Sequence, residues 1–172
     1  TVIDLVRLAY RFELGEQEWL DTLAESLVEF APGAGALVYA FDARSPREGV
    51  SIRGSSGRLV DQRFIDATLA LNRDSTERET RLFYHSGIVS GTVSSMLGLI
   101  DDDPAANARF AGTVGRLGVA DCWGLTASAP GHEGIVVNSP LDSPRSLARR
   151  ETEVWKCVGA HLAFAYRLRR RV

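Results

Sequence analysis

Apolar residues near the start of the chain recur every three or four positions, in two blocks. The first block covers residues 2–12 and the second covers residues 16–30, with Gly15 between them. This spacing is typical of amphipathic helices, and a glycine between two helical blocks favours a break. The pattern predicts a bent or broken pair of helices that opens the fold.

Strand-like and helix-like patterns then follow in turn. A short apolar and aromatic run at 36–41 predicts a buried strand, and a turn at 44–47 leads to a weaker strand at 49–54. These two strands are expected to form a hairpin. Helical spacing returns over residues 59–73, and the charged stretch 73–81 predicts an exposed loop.

Residues 82–100 fit two descriptions. Three glycines and several β-branched residues lower the helix propensity of this segment. A helix nevertheless remains open, because five apolar residues could line one helical face: Val89, Val93, Met96, Leu97 and Ile100. The pattern alone leaves the choice undecided.

Clearer signals occur in the second half of the chain. Asp103 and Pro104 predict the start of a helix, with the aspartate as N-cap and the proline in the first helical position, and this helix should run to about Leu117. Two further strands are predicted at 119–127 and 133–138. The Pro-Gly pair between them indicates a hairpin turn.

The last helix is predicted to begin at Ser143-Pro144 and to end near residue 170. This order of elements predicts an α+β fold, in which an antiparallel sheet carries helices on its faces and long helices lie at both ends of the chain. A length of 172 residues is ordinary for one domain. Residues 1–172 are therefore predicted to form a single domain, with 144–172 as its C-terminal connector helix.

Two apolar stripes run along the last helix. The first has the spacing of a heptad seam and consists of Val154, Val158, His161, Ala165, Leu168 and Val172. The second, beside it, consists of Trp155, Leu162 and Tyr166. Two interpretations remain open: either the heptad seam meets a second copy of the chain while the other stripe covers the core, or both stripes pack within the domain. The first interpretation makes the heptad seam a candidate homodimer interface.

Composition argues against several classes of protein. Apolar residues make up 45% of the chain and charged residues 24%, which is typical of a globular domain and not of a disordered chain. No apolar run approaches the roughly 18 residues of a membrane span, and residues 1–20 lack the basic and then apolar layout of a secretory signal. A cytoplasmic protein without a membrane partner is expected.

The net charge of −2 is unevenly distributed. Residues 145–172 carry eight bases and two acids, which gives this tail a charge of +6 and leaves −8 on the rest of the chain. A helix C-terminus favours one or two basic side chains. A denser cluster could also contact phosphates, or lead into a further segment of the protein.

No group of residues suited to catalysis or metal binding stands out. Cys122 could pair with His85 or His132, but it lies within a predicted strand without a local signature, so a buried structural cysteine is favoured. Cys122 and Cys157 are far apart and form no CxxC motif, so both are interpreted as small core residues. The acids at 101–103 are explained by helix capping. No catalytic residue, metal or cofactor is predicted, and the chain is not expected to be an enzyme.

Several stretches of the chain resemble a known family. The segments 118–125, 134–140 and 159–170 resemble the region that precedes the DNA-binding domain in LuxR-type helix-turn-helix transcriptional regulators, above all in His161-Leu162-Ala163 followed by an arginine-rich helix end. Near the N-terminus, Tyr10, Trp19-Leu20 and Leu23 are similar to the start of GAF-like sensor regions in such regulators.

The resemblance implies a GAF/PAS-like sensor domain that relays a signal through its C-terminal helix. A LuxR-type output domain would need further helices beyond Val172, so DNA is expected to be contacted only through a domain absent from these residues. The resemblance thus implies a truncated regulator, or a stand-alone relative that works through protein contacts. Two other functions stay open: a GAF-fold enzyme such as a cysteine-dependent reductase, and a ligand-free protein-interaction module.

The family layout also implies a place for a small-molecule ligand, between the sheet and the helices that cover it. An apolar pocket with a few polar groups is the common design of such sites. The candidate pocket residues are Tyr39, Phe41, Phe83, Tyr84, His85, Met96, Cys122 and Trp123. The identity of the ligand is not indicated.

Overall fold

A computed structural model describes residues 1–42, 44, 53–98, 103–128 and 132–171. The helices are α1 (Val2–Ala9), α2 (Glu16–Leu27), α3 (Gln62–Arg73), α4 (Glu77–Tyr84), α5 (Val93–Leu97), α6 (Pro104–Leu117) and α7 (Arg149–Arg169). The strands are β1 (Ala36–Asp42), β2 (Arg53–Ser56), β3 (Ile88–Thr92), β4 (Asp121–Ser128) and β5 (Glu133–Leu141). No helix within these ranges is long and apolar enough to cross a membrane.

The five strands form one antiparallel sheet in the order β2-β1-β5-β4-β3. Strand β5 lies at its centre, where Asn138 is opposite Leu37 of β1 on one side and Gly124 of β4 on the other. The predicted α+β class is confirmed, as is the antiparallel pairing of the first two and the last two strands. The predicted strand residues 49–52 and turn residues 129–131 lie outside the described residues.

Helices cover both faces of the sheet, so the core has two layers. Helices α1, α2 and α7 pack on one face, and α3 to α6 pack on the other. Successive residues of a strand point to opposite faces. On β4, Trp123 and Leu125 belong to the layer with α7, whereas Cys122 belongs to the layer with α3 and α6. Neighbouring residues of one strand therefore contact different layers of helices.

Helix α6 begins and ends where local chemistry predicts. Oδ1 of Asp103 accepts a hydrogen bond from the N–H of Ala106 at 3.0 Å, and Pro104 is the first helical residue. The helix ends at Gly118, whose φ of 68° lies in the left-handed region that favours glycine. Capping side chains and a terminal glycine are sufficient to define this element.

The prediction of an exposed loop at 73–81 is wrong, because residues 77–84 form α4. The hydroxyl of Thr76 accepts the N–H of Glu79 at 3.2 Å, and the Glu79 carboxylate accepts the N–H of Thr76 at 2.7 Å. This reciprocal pair is a capping box, which satisfies two backbone donors at the helix start. The charged sequence contains an amphipathic helix that buries Glu79 and Tyr84.

The described residues 82–98 of the undecided segment contain the end of α4, strand β3 and the short helix α5, so neither single description holds. The hydroxyl of Thr92 accepts the N–H of Ser95 at 3.4 Å and caps α5. Asp121 at the start of β4 accepts hydrogen bonds from the backbone N–H and the hydroxyl of Ser94. Contact with β4 therefore helps to position the start of α5, and local sequence does not report such a contact.

Helix α7 begins at Arg149, so the predicted connector helix starts too early at 144. Residues 144–148 carry no regular structure, and Ala148 is the N-cap. Nη1 of Arg145 donates to the carbonyl of Pro32 at 3.2 Å, and Nη2 pairs with Glu151 at 2.6 Å. These contacts hold the segment against the domain in place of a helical turn.

Candidate functional site

A cavity of about 80 Å³ lies between the sheet and the layer formed by α3 to α6, and we call it the central cavity. Its floor comes from β1, β4 and β5 and includes Tyr39, Cys122, Gly124, Thr126, Val136 and Asn138. Its roof comes from the four helices and includes Asn72, Glu79, Phe83, Met96 and Phe110. One water needs about 10–15 Å³ of such volume, so the cavity has room for several waters or one small molecule.

A chain of hydrogen bonds crosses the floor of the central cavity. Nδ2 of Asn138 on β5 donates to Oη of Tyr39 at 3.2 Å, and Nδ2 of Asn72 on α3 donates to the same oxygen at 2.6 Å. Oη of Tyr84 on α4 donates to Oδ1 of Asn72 at 2.8 Å. The chain joins β1 and β5 to two roof helices, because each buried polar group finds a partner on another element.

Tyr39 and Tyr84, the two tyrosines of this hydrogen-bond chain, are neutral at ordinary pH. Burial raises the pKa of Tyr39, although hydrogen bonds from Asn72, Tyr84 and Asn138 act in the opposite direction. Burial raises the pKa of Tyr84 well above its usual value, and Tyr39 and the charge of Glu79 raise it further. The two hydroxyls therefore act as neutral hydrogen-bonding groups.

One acidic side chain, Glu79, lies in the wall of the central cavity and is 7% exposed. Its Oε2 accepts hydrogen bonds from the N–H of Thr76 at 2.7 Å and from Nη2 of Arg109 at 2.5 Å. A buried carboxylate needs such partners, because an unpaired buried charge is strongly unfavourable. Oε1 accepts no hydrogen bond from the described residues.

Five of the eight predicted pocket residues line the central cavity: Tyr39, Phe83, Tyr84, Met96 and Cys122. The other three lie elsewhere. Phe41 packs beside the Tyr84 ring, with centroids 4.8 Å apart, and His85 is exposed at the end of α4. Trp123 faces the opposite layer, where its ring centroid lies 4.7 Å from that of Trp155. Trp123 is one residue from Cys122 on a strand, so the two side chains point to opposite faces.

The amide and acidic residues of the cavity, unlike its two tyrosines, are not singled out by the sequence patterns. Asn138 offers one signal, since it is an amide directly after the apolar run 135–137 and has the same strand parity as Val136. Asn72 and Glu79 belong to charged helix surfaces in the sequence. Only the packing of α3 and α4 on the sheet brings them to the cavity.

Cys122 is a buried thiol, as predicted. Burial and the nearby Asp121 charge raise the pKa of the Cys122 thiol to about 12. His85 and His132, the two histidines considered as its partners, are exposed side chains whose ring centroids lie 6.3 Å apart. Because the thiolate is the reactive form of cysteine, Cys122 is a poor nucleophile near neutral pH.

Cys157 differs from its prediction, because its side chain is exposed on α7. We expect Ellman's reagent at pH 8 to modify Cys157 quickly and to leave Cys122 unmodified in the folded protein. A pKa near 12 for Cys122 lowers its thiolate fraction roughly a thousandfold relative to an ordinary thiol, in addition to the effect of burial.

Absorbance of the released thiolate measures this reaction. One thiol should react in the native protein and a second only in denaturant. Cys157→Ser should remove the fast reaction, and Cys122→Ser should leave it unchanged. Fast modification of both thiols in the native protein would contradict the buried position of Cys122.

Some residues of the predicted heptad seam of α7 lie in the core, and others lie on the surface. Val158 and Ala165 are buried in the layer beneath α7, so the structure assigns them to the domain's own core. Val154 and His161 are exposed, Leu168 is partly buried, and Val172 lies outside the described residues. The second stripe of α7 packs inward, as both interpretations require.

A different set of residues with heptad spacing lies on the outer side of α7, and we call it the exposed stripe: the exposed Val154, Cys157, His161 and Phe164, and the partly buried Leu168. Phe164 is 53% exposed. Tyr10, just after α1, borders this stripe, with its ring centroid 6.4 Å from that of Phe164 and its Oη 3.0 Å from Nδ1 of His161. The surface at this position is therefore apolar and aromatic, and it extends from α7 to the end of α1.

The basic end of α7 is partly engaged within the domain. Nη1 and Nη2 of Arg169 donate to the carbonyls of Leu14 and Arg11, at 2.5 Å and 2.7 Å. The guanidinium also lies 4.6 Å from the centroid of the Trp19 ring. Arg169 thus ties the end of α7 to the connection between α1 and α2, so not all the basic residues of the tail are free to contact a partner.

No protein-family model matches this chain, and none of the curated proteins matches it. Several solved structures are similar over nearly its whole length, and two of them follow. One is a phycoerythrobilin-bound GAF domain from a cyanobacterial phytochrome, with a TM-score of 0.70 and 12% identity, covering 99% of this chain and 96% of that chain. The other is a protein in its far-red-absorbing dark state with bound biliverdin IXa, with a TM-score of 0.58 and 11% identity, covering 98% and 97%. Such low identities establish a common architecture, and this chain has the GAF fold.

Proposed function

We propose that this chain is the sensor and dimerisation domain of a transcriptional regulator. In this proposal a small molecule occupies the central cavity and changes how the α7 helices of two copies pack, which orients DNA-binding domains that lie outside these 172 residues. The observation that carries the proposal is that the cavity and α7 lie on opposite faces of the same strand, β4. The LuxR-type resemblance supports the regulatory part, and the bilins of the two solved structures support ligand binding.

Strand β4 offers a short mechanical path from the central cavity to α7. Gly124 lines the cavity, whereas its neighbours Trp123 and Leu125 pack in the layer with α7. A Cβ built on Gly159 of α7 would lie 3.0 Å from Cδ1 of Leu125, so helix and strand are in close contact. Packed interiors resist compression and transmit displacements. A ligand that moves β4 would therefore also move α7.

The ligand in this proposal is much smaller than a bilin. A linear tetrapyrrole is far larger than a cavity of about 80 Å³. The thioether of Met96 also lies close to the floor, since its Cε would be 3.2 Å from a Cβ built on Gly124. The dimensions of the central cavity support a compact molecule.

The exposed stripe supports the dimer. A repeat of alternating three and four residues suits supercoiling with an identical helix, because both helices then present matching positions along one seam. Val154 and Phe164 are large apolar side chains that are exposed to solvent in the monomer. A second copy of α7 would bury both of them.

Phe164→Glu is expected to weaken dimerisation at least tenfold, because it places a charge at the centre of an apolar interface. Analytical ultracentrifugation of the purified chain measures the change. The domain should stay folded by circular dichroism, since the side chain is largely exposed. Ala108→Glu is the matched control, because it adds the same charge to an exposed position of α6, across the sheet from α7. A wild-type chain that stays monomeric, or a dimer insensitive to Phe164→Glu, would count against the proposal.

No catalytic step belongs to this proposal. The thiol of Cys122 is the nucleophile that a cysteine-dependent reductase would need, and its burial and a pKa raised to about 12 support binding without turnover. The regulatory part is tested by the gene itself. A helix-turn-helix segment encoded after the codon for Val172 would support it, whereas an enzyme domain or a stop codon at that point would overturn it.

A further inference from the structure

Two carboxyl or amide oxygens at the central cavity accept no hydrogen bond from the residues that the structure describes. Oε1 of Glu79 and Oδ1 of Asn138 accept no hydrogen bond within the described part of the chain. The amides of Asn138 and Asn72 each donate one hydrogen bond to Tyr39, and the hydroxyl of Tyr84 donates to Asn72. A ligand that donates hydrogen bonds would therefore find two acceptors that the described residues leave without a donor.

Glu79 gives this cavity a negative wall. Its side chain is more than nine-tenths buried, and both of its described hydrogen bonds go to Oε2. Arg109, which supplies one of these bonds, is not a lining residue and is 33% exposed, so it approaches Glu79 from outside the cavity. The field of the carboxylate reaches the cavity interior, because after burial and Tyr39 it also raises the pKa of Tyr84.

The remaining walls suit a cation with an apolar body. The rings of Phe83 and Phe110 and the thioether of Met96 line the roof. Aromatic faces attract cations through their quadrupole, and a thioether is soft and adaptable. Among the described residues, no lysine or arginine side chain lines the cavity. An anionic ligand would therefore meet a carboxylate and no counter-charge.

We propose that the central cavity binds a small primary amine as its ammonium ion, which donates a hydrogen bond to Oε1 of Glu79. The proposal rests on the ligand-sensing function above and names the class of ligand for that site. The apolar body of the amine lies against Phe83, Phe110 and Met96, and Oδ1 of Asn138 is a further acceptor in the wall. A volume of about 80 Å³ limits the body to a few carbon atoms.

Three probes of nearly equal size separate charge from shape: isobutylamine, isobutanol and isobutyrate. A ligand that binds only the folded state raises the midpoint of thermal unfolding, and the shift grows with the ratio of the ligand concentration to its dissociation constant. At pH 7 and constant ionic strength, isobutylamine should raise the midpoint of the wild-type chain. Isobutanol should need at least tenfold higher concentration for the same shift, and isobutyrate should produce none. Isothermal titration calorimetry then gives the dissociation constants.

Variants of the chain test the role assigned to Glu79. Glu79→Gln should weaken isobutylamine binding at least tenfold and change isobutanol binding less than twofold, because glutamine retains the capping interaction at this position. Glu77→Gln is the matched control on the same helix, since the Glu77 side chain is largely exposed and should affect neither probe. Gly124→Val should abolish binding of both probes, because it places a side chain against Met96 and Asn138 on the cavity floor.

The outcomes test the class of ligand and the proposed sensing function separately. Tighter binding of isobutyrate or isobutanol than of isobutylamine would overturn the amine proposal and leave ligand sensing intact. Failure of all three probes to stabilise the wild-type chain would also overturn it, whereas the dimer is judged separately by Phe164→Glu. If Glu79→Gln fails to fold, the order of affinities in the wild-type chain still decides the matter.

Discussion

Trp19→Ala is expected to lower the free energy of unfolding by about 3–5 kcal/mol, because it empties a buried site where α1, α2 and α7 meet. Trp19 is fully buried, and its Nε1–H donates to the carbonyl of Leu8 at 3.2 Å. Its ring stacks on Tyr166 of α7, with centroids 6.3 Å apart and planes inclined by 8°. The substitution creates a cavity and also removes one of the two donors to the Leu8 carbonyl, which still accepts the N–H of Arg11 at 3.1 Å.

Urea unfolding followed by circular dichroism measures the loss. Trp19→Phe is the graded comparison, since it keeps most of the ring and removes only the N–H donor. Phe12→Ala is a surface control, since Phe12, like Trp19, lies beside the guanidinium of Arg169. It should cost about 1 kcal/mol or less, because Phe12 is 42% exposed. A loss below about 1 kcal/mol for Trp19→Ala would show that this junction contributes little to stability.

The same substitution should loosen the end of α7. The guanidinium of Arg169 lies over the Trp19 ring. Removal of this ring therefore deletes a cation–π contact with Arg169 as well as the stacking with Tyr166. Amide hydrogen exchange should then rise in the last turn of α7 more than near Val158, which packs on the sheet. Equal protection along the whole helix would contradict this description of how α7 is attached.

Gly54→Ala is the second substitution with a large expected effect, a loss of about 3 kcal/mol. A Cβ at this position would lie 2.1 Å from the carbonyl oxygen of Leu20 and 2.6 Å from the amide nitrogen of Asp21. Both are main-chain atoms of α2, so no side-chain rotation relieves the overlap. Helix α2 must move away from β2, and the layer that it shares with α1 and α7 must repack.

Gly91→Ala in β3 is the matched control for Gly54→Ala. A Cβ there would lie 3.5 Å from Cγ of Met96, which is ordinary van der Waals contact. Its stability should change by less than about 1 kcal/mol. Urea unfolding of both variants compares a close backbone approach with an open strand position. Equal stability of the two would mean that α2 and β2 separate easily.

Local signals in the sequence predict elements that carry their own start and stop. The helix after Asp103 is predicted correctly because its N-cap, first-turn proline and terminal glycine are all local. Helix α4 is missed because charge dominates its sequence, although Thr76 and Glu79 form a capping box that spacing alone could reveal. The last helix is predicted to start too early because the deciding contact is not local: Arg145 is held by the carbonyl of Pro32, which is distant in the sequence.

The candidate site is predictable in part. Strand parity places Tyr39 and Cys122 on the cavity side, and it also excludes Trp123 from that side. Asn72 and Glu79 are different, because they reach the cavity only after α3 and α4 pack on the sheet. No periodicity links residues on separate elements, so the cavity's polar chain and its carboxylate cannot be read from the sequence.

Helix α7 shows the same division. The sequence by itself determined that this helix is amphipathic, has stripes with heptad spacing and ends in a basic cluster. Only the tertiary structure decided that Val158 and Ala165 face the sheet, that Cys157 and Phe164 face solvent, and that Arg169 docks on Trp19. The physical reason is that a helical pattern defines which residues share a face, whereas burial depends on which neighbouring element covers that face.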